Sequence, residues 1–217
     1  MKYMMFIRVG KNSHIDALQR KGEIYCNTTK FFRNLEEKET VQGDTNENRS
    51  IIKQVSNVEI LIDGKPIAKA HSAQLYADHP NSDGNIYCLY GVNSNQADTA
   101  MTGRQKISID PRVMNFGTSA LLIYNPQEFK FRIESTLNSL SKEFHFSSVK
   151  YYDPKSYEGG LGPFCKSEDY KYQQEVRLWI PSDMDQPFKF SIGDISDISY
   201  KFPIADLDKI GVEHISI

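Results

Sequence analysis

The sequence predicts an α+β fold in a β-rich single domain, residues 1–217, with a mixed or antiparallel sheet and a few short helices. Three observations predict it. Roughly a dozen short apolar or alternating runs read as strands against about four helical patterns. The two kinds do not alternate strictly, which separates the chain from doubly wound α/β folds. The 217 residues, 39% of them hydrophobic, contain no internal repeat and no linker, and a chain of that length buries a sizeable core without staples.

Residues 2–9 read as a mostly apolar strand, and Ser13 opens an N-capped short helix closed by Gly22. A strand over 23–27 leads into the segment 30–39, where Phe31, Phe32 and Leu35 make one apolar face of a second short helix. Residues 40–50 are polar and aperiodic and form an exposed loop. Its Asp44, Asn46 and Glu47 offer oxygen ligands for a hard cation, but without the EF-hand pattern a solvated turn is expected. Apolar runs at 55–62 and 66–70 flank Asp63-Gly64-Lys65, a hairpin signature. Two polar stretches, 78–85 and 93–104, bracket the strand 86–92, and 106–109 is a further short strand.

Residues 119–124, SALLIY, form a central strand buried on both faces. Asn125, Pro126 and Glu128 then supply an N-cap, a first-turn proline and an acidic third position, starting the longest helix. Residues 149–152 return as a strand, 159–163 are a glycine-rich loop, and 170–180, YKYQQEVRLWI, read as one long strand. Strands over 188–192, 198–202 and 212–217, with a short helix over 204–210, complete the pattern.

Composition and motifs exclude several function classes. With 26 Lys and Arg against 28 Asp and Glu, net charge gives no bulk attraction to nucleic acid or an anionic membrane. No stretch approaches the roughly 18 apolar residues of a membrane helix, and the apolar run after Met1 is too short for a secretory signal. A cytoplasmic protein is expected. Cys26, Cys88 and Cys165 are odd in number and widely spaced, which favours buried free thiols over disulfides or a CxxC zinc knuckle. The histidines form no HxxxH or HExxH pattern, so no metal is expected. There is no GxGxxG, no phosphate-cradling GxxxxGK[ST] and no GxSxG elbow.

The most informative segment is 170–180, because strand alternation puts Gln173, Glu175 and Arg177 on one face. Such a face is either the floor of a cleft or a solvated surface with a Glu–Arg pair. Gln173-x-Glu175 on a late strand, Arg8 on the first strand and Thr118-Ser119 at the head of the buried strand occur in the order of a known pattern. It resembles the arginine-serine-glutamate class of ADP-ribosyltransferases, although Phe116-Gly117-Thr118 departs from that family's hydroxyl-aromatic start. The resemblance implies NAD as ligand. Glu175 would sit at the ribose hydroxyls and stabilise an oxocarbenium-like transition state. Gln173 would position the acceptor and Ser119 would orient the ribose or the glutamate. Arg8 would hold the pyrophosphate, with Thr118 and Tyr25 as further NAD contacts.

A second resemblance covers more of the chain. GxIY at residues 22–25, Phe31-Phe32, the loop 44–47, and Phe164, Lys166, Tyr172, Glu175 and Arg177 near the C-terminus are similar to a widespread uncharacterised bacterial family with an N-D-P-x-E loop and a late E-x-R strand. It implies a fold grouping and no activity. A metal-dependent nuclease built from the 44–47 loop, Lys166 and Glu175 is disfavoured, since no Asp…Glu-x-Lys spacing on paired strands is visible. The transferase reading implies a bacterial or phage defence or counter-defence setting. The competing expectation is a non-catalytic module of a mobile-element or defence system, holding a nucleotide or protein partner through the loops 44–47 and 93–104. Convergence of Arg8, Ser119 and Glu175 on one cleft is what a transferase requires and a binding module does not.

Overall fold

The first apolar run forms strand β1 (Tyr3–Gly10), and the next turn of chain begins helix α1 (Asn12–Lys21). The carbonyl of Lys11 accepts from the N–H groups of His14 and Ile15, so the helix starts before Ser13 and lacks the expected side-chain cap. Its end is as expected: Gly22 adopts a left-handed φ of 59° and its N–H donates to Ala17. Strand β2 (Glu23–Thr28) then runs directly into α2 (Thr29–Glu36). The computed structural model that carries these elements describes residues 3–36, 49–77, 83–96 and 104–213. The loop 44–47, most of the stretches 78–85 and 93–104, and residues 214–217 lie outside the described residues.

Asp63 and Gly64 take φ values of 48° and 75°, the two positive angles that a tight hairpin turn requires. They join β3 (Ile51–Ile62) to β4 (Lys65–Ala77), a longer ribbon than its apolar runs alone imply. Strands β5 (Gly84–Asn93), β6 (Arg104–Lys106) and β7 (Ser119–Ile123) follow. Helix α3 (Pro126–Ser139) is capped as its sequence demands, Asn125 Oδ1 accepting the Glu128 N–H at 3.1 Å. Short strands β8 (His145–Ser148), β9 (Lys150–Tyr152), β10 (Gly159–Gly160) and β11 (Cys165–Ser167) lead to β12 (Glu175–Pro181). β13 (Phe188–Ser191), β14 (Ser199–Pro203) and β15 (Gly211–Glu213) complete the described chain.

The stretch 170–180 is not one strand. Residues 168–173 wind into a 3-10 turn, Gln174 takes a left-handed φ of 42°, and the strand begins only at Glu175. The reason is local: Ser167 caps the turn by accepting the Asp169 N–H, and Glu168 and Asp169 occupy its first positions. The alternation Tyr-Lys-Tyr-Gln imitates a strand that the capping residues before it prevent.

The main sheet is antiparallel, with β13, β2, β5, β1, β7 and β14 in that order, β12 paired to β5 and β8 paired to β12. The β-rich α+β expectation therefore holds. Helices α1 and α3 bury Ile15, Leu18, Phe129, Ile133 and Leu137 against one face, together with Phe6, Leu121 and Leu178. The other face packs Ile7, Val9, Tyr90 and Val92 against Val113 and Leu207. Among the described residues no helix is long and apolar enough to cross a membrane.

One irregularity positions the site. β12 follows one edge of β5 from Gly84 to Tyr90. The opposite edge is shared, by β2 at Asn85 and Ile86 and by β1 from Tyr90 to Asn93. Between them, at residues 87–89, β1 and β2 part and the sheet is split.

Gly22→Ala tests the α1–β2 corner, because φ is left-handed there and a Cβ would meet the backbone of Gly193. The expected loss is about 1–3 kcal/mol, read as a lower midpoint in urea at unchanged m-value.

Candidate functional site

Glu175 and Arg177 stand two apart on β12, on one face, opposite Tyr90 and Cys88 of β5. The 3-10 turn folds the chain back so that Lys166 of β11 reaches the same point. Glu175 Oε1 lies 2.8 Å from Lys166 Nζ and Oε2 2.6 Å from Arg177 Nε. Lys166 also donates to Gln173 Oε1 at 2.7 Å, and Arg177 donates to the Pro163 carbonyl at 2.6 Å. The Glu175 N–H donates to the Tyr151 hydroxyl at 2.8 Å. All of this is buried: Lys166 and Arg177 are only 2% and 1% exposed.

Burial alone raises the Glu175 carboxyl, yet the charges of Arg177 and Lys166 and their hydrogen bonds outweigh it and hold the group down at about 2. The carboxylate is ionised throughout the neutral range. Burial and then the neighbouring Glu175 charge push the Tyr151 hydroxyl upward, so it stays protonated.

Arg8 projects into the split between β1 and β2. Its guanidinium donates to the Cys88 carbonyl at 2.5 Å and lies 4.7 Å from the centre of the Tyr87 ring. Beside it opens a cavity of about 480 Å³. Arg8, Lys166, Gln173, Glu175 and Arg177 contribute to its lining, and Tyr25, Phe31, Phe32, Tyr90 and Phe116 supply aromatic surface. A second hollow of about 380 Å³ runs toward α1 and shares Arg8, His14, Tyr25 and Tyr87 with the first.

Four residues singled out in the sequence thus face one cavity: Arg8, Tyr25, Gln173 and Glu175. Ser119 and Thr118 do not line it. The Ser119 hydroxyl donates to Asn12 Oδ1 at 3.0 Å. The Thr118 backbone N–H donates to the Gly10 carbonyl, and its own carbonyl accepts from Ile204. Both residues serve the junction of β7 with β1 and α1.

Sequence reasoning places Lys166 only in a disfavoured nuclease arrangement and gives Arg177 no site role, although both stand in the F-x-K…E-x-R pattern. Ser167-Glu168-Asp169 is a sequence signal for the turn, but the meeting of Lys166 with Glu175 is spatial and has no signal in the order of residues. Among the described residues no group of three His, Cys, Asp or Glu side chains could hold a metal. Comparison with protein-family models, with curated proteins and with solved structures returns no match for this chain.

The linkage at Glu175 gives a pH signature. A carboxyl lowered from 4.5 to about 2 contributes stability that is complete above pH 4.5 and is lost as pH falls toward 2. Glu175→Gln is expected to be less stable than wild type by about 3–5 kcal/mol at pH 7, since both buried cations lose their partner. The gap should narrow steadily below pH 4.5, as followed by urea denaturation at a series of pH values.

Proposed function

We propose that the cavity binds a phosphorylated nucleoside, with NAD as the candidate ligand. The observation that carries the reading is the charge of the cavity wall. Arg8, Lys166 and Arg177 face it, and Glu175 is the single carboxylate among its described lining residues. A surplus of cations in a concave site with low-dielectric walls focuses a positive potential on whatever enters. Guanidinium groups match phosphate oxygens geometrically. Aromatic walls add flat apolar surface for a ring, and about 480 Å³ is within the size range of small-molecule sites. For NAD, Arg8 would meet the pyrophosphate and the aromatic rim a ring. Cys26, Cys88 and Cys165 are not joined in disulfides, which fits a reducing, cytoplasmic setting for such a ligand.

A second reading, ADP-ribosyl transfer, is supported by Arg8, Gln173 and an ionised Glu175 facing the same cavity, whereas Ser119, whose convergence it also requires, bonds Asn12 at another junction. In that reaction the bond from ribose C1′ to nicotinamide nitrogen breaks and its electron pair leaves with nicotinamide. An acceptor nucleophile then adds at C1′ and gives up its proton. Glu175 would accept hydrogen bonds from the ribose hydroxyls. Lys166 and Arg177 offset its charge, however, which weakens its stabilisation of a cationic ribose and makes binding the primary reading.

The test is calorimetric titration with NAD of the wild type and of Arg8→Gln, which keeps a donor for Cys88 but removes the charge, together with an assay for released nicotinamide. Binding that weakens about 10- to 100-fold in the variant supports the site. Nicotinamide release that disappears in folded Glu175→Gln adds the transferase activity. Absence of binding by NAD and by every nucleoside phosphate tried overturns the proposal.

A further inference from the structure

Along β2, Ile24, Cys26 and Thr28 are buried, whereas Tyr25 and Asn27 project from the opposite face and line the cavity. The chain passes without a break into α2, whose first turn brings Phe31 and Phe32 to the same wall. These rings are not core filling. Tyr25 and Phe31 are 50% and 42% exposed, and Phe31 meets Phe32 edge to face at 5.5 Å. They leave ring surface at the cavity mouth, suited to stacking against a planar ligand.

Asn27 stands between them with its amide orientation fixed. Its Oδ1 accepts the Thr28 N–H at 3.2 Å, the side chain's one hydrogen bond among the described residues. An amide whose oxygen is turned to the backbone presents its NH₂ the other way, as a donor. The cavity wall therefore offers stacking rings with a hydrogen-bond donor at their edge.

We infer that Tyr25, Asn27, Phe31 and Phe32 form a ring subsite selective for a planar heterocycle with an exocyclic carbonyl oxygen at its edge, read by Asn27 Nδ2. The inference rests on the nucleotide reading above and specifies the ring that the site accepts. Two sources carry that oxygen: a keto base such as guanine, and the carboxamide of nicotinamide. An amino group in the same place would set donor against donor, and a donor left unpaired in a desolvated site is strongly disfavoured.

The experiment measures the affinities of GMP, nicotinamide mononucleotide and AMP for wild type, Asn27→Asp and Asn27→Ala. Asp keeps an acceptor for the Thr28 N–H but presents a carboxylate to the ligand, so the amide donor becomes an acceptor. Ratios of affinity within each variant cancel the effect of the added charge on the shared phosphate. Wild type should favour GMP or nicotinamide mononucleotide over AMP by about tenfold or more. Which of the two binds tighter identifies the source of the carbonyl. Asn27→Ala should bring the ratio near one, and Asn27→Asp should invert the ratio of GMP to AMP. Nicotinamide mononucleotide is left out of the Asp comparison, because its ring is cationic and its carboxamide can turn an NH₂ to the carboxylate. A ratio that stays the same in all three proteins overturns the subsite while leaving the nucleotide reading intact. Failure of all three mononucleotides to bind, while NAD binds, overturns the subsite alone, and failure of NAD as well overturns both.

Discussion

The Glu175 carboxylate sits between Lys166 and Arg177 inside the protein, and the candidate site is organised around that contact. Three charges removed from water are costly, and their mutual attraction offsets the cost only when geometry and further hydrogen bonds are favourable. Here they are: both carboxylate oxygens meet a cation within 2.8 Å, and Lys166 and Arg177 each have another oxygen acceptor. The contact also dictates the path of the chain. β11, the 3-10 turn and β12 must be arranged so that residues 166, 173, 175 and 177 meet, which leaves a net positive wall beneath the aromatic rim.

The split in the sheet completes the arrangement. Had β1 or β2 continued along β5, Arg8 would be an ordinary strand residue with no opening beside it. Because the two strands part at residues 87–89, the Cys88 carbonyl is within reach of a side chain, and Arg8 donates to it while stacking over Tyr87. A backbone irregularity is thereby filled by a cation shared between two hollows. Fold and site are linked at this point: the antiparallel pairing that builds the core also creates the gap that holds the third positive charge.

The parts of this architecture that were legible in the sequence are those governed by local rules. Gly22 ends α1 because only a left-handed residue can do so there. Asn125 and Pro126 start α3, and Asp63-Gly64 turns the hairpin, since each satisfies a backbone requirement within a few residues. The almost wholly apolar 119–124 run announced a buried strand, realised as Ser119–Ile123, with Tyr124 beyond it exposed. What failed depended on competition or on distance. In 170–180 the cap at Ser167 overrode an alternation that imitates a strand, and a polar Lys166 gave no sign that it would be buried against a glutamate nine residues on. Arg8, Gln173 and Glu175 were found by motif order and share a cavity, but Ser119 and Thr118, chosen on the same grounds, face a different junction. Motif order says nothing of which side of a strand faces a ligand.

The account holds that the cation surplus beside Glu175 makes the cavity a phosphate-recognising site. The most direct measurement is the affinity of GMP compared with that of guanosine, determined calorimetrically on the wild-type protein. The two ligands share ring and ribose and differ only in the phosphate. The account predicts that GMP binds about 100-fold more tightly, the order expected when charge-assisted hydrogen bonds form in a buried site. Equal affinities for the two would contradict it.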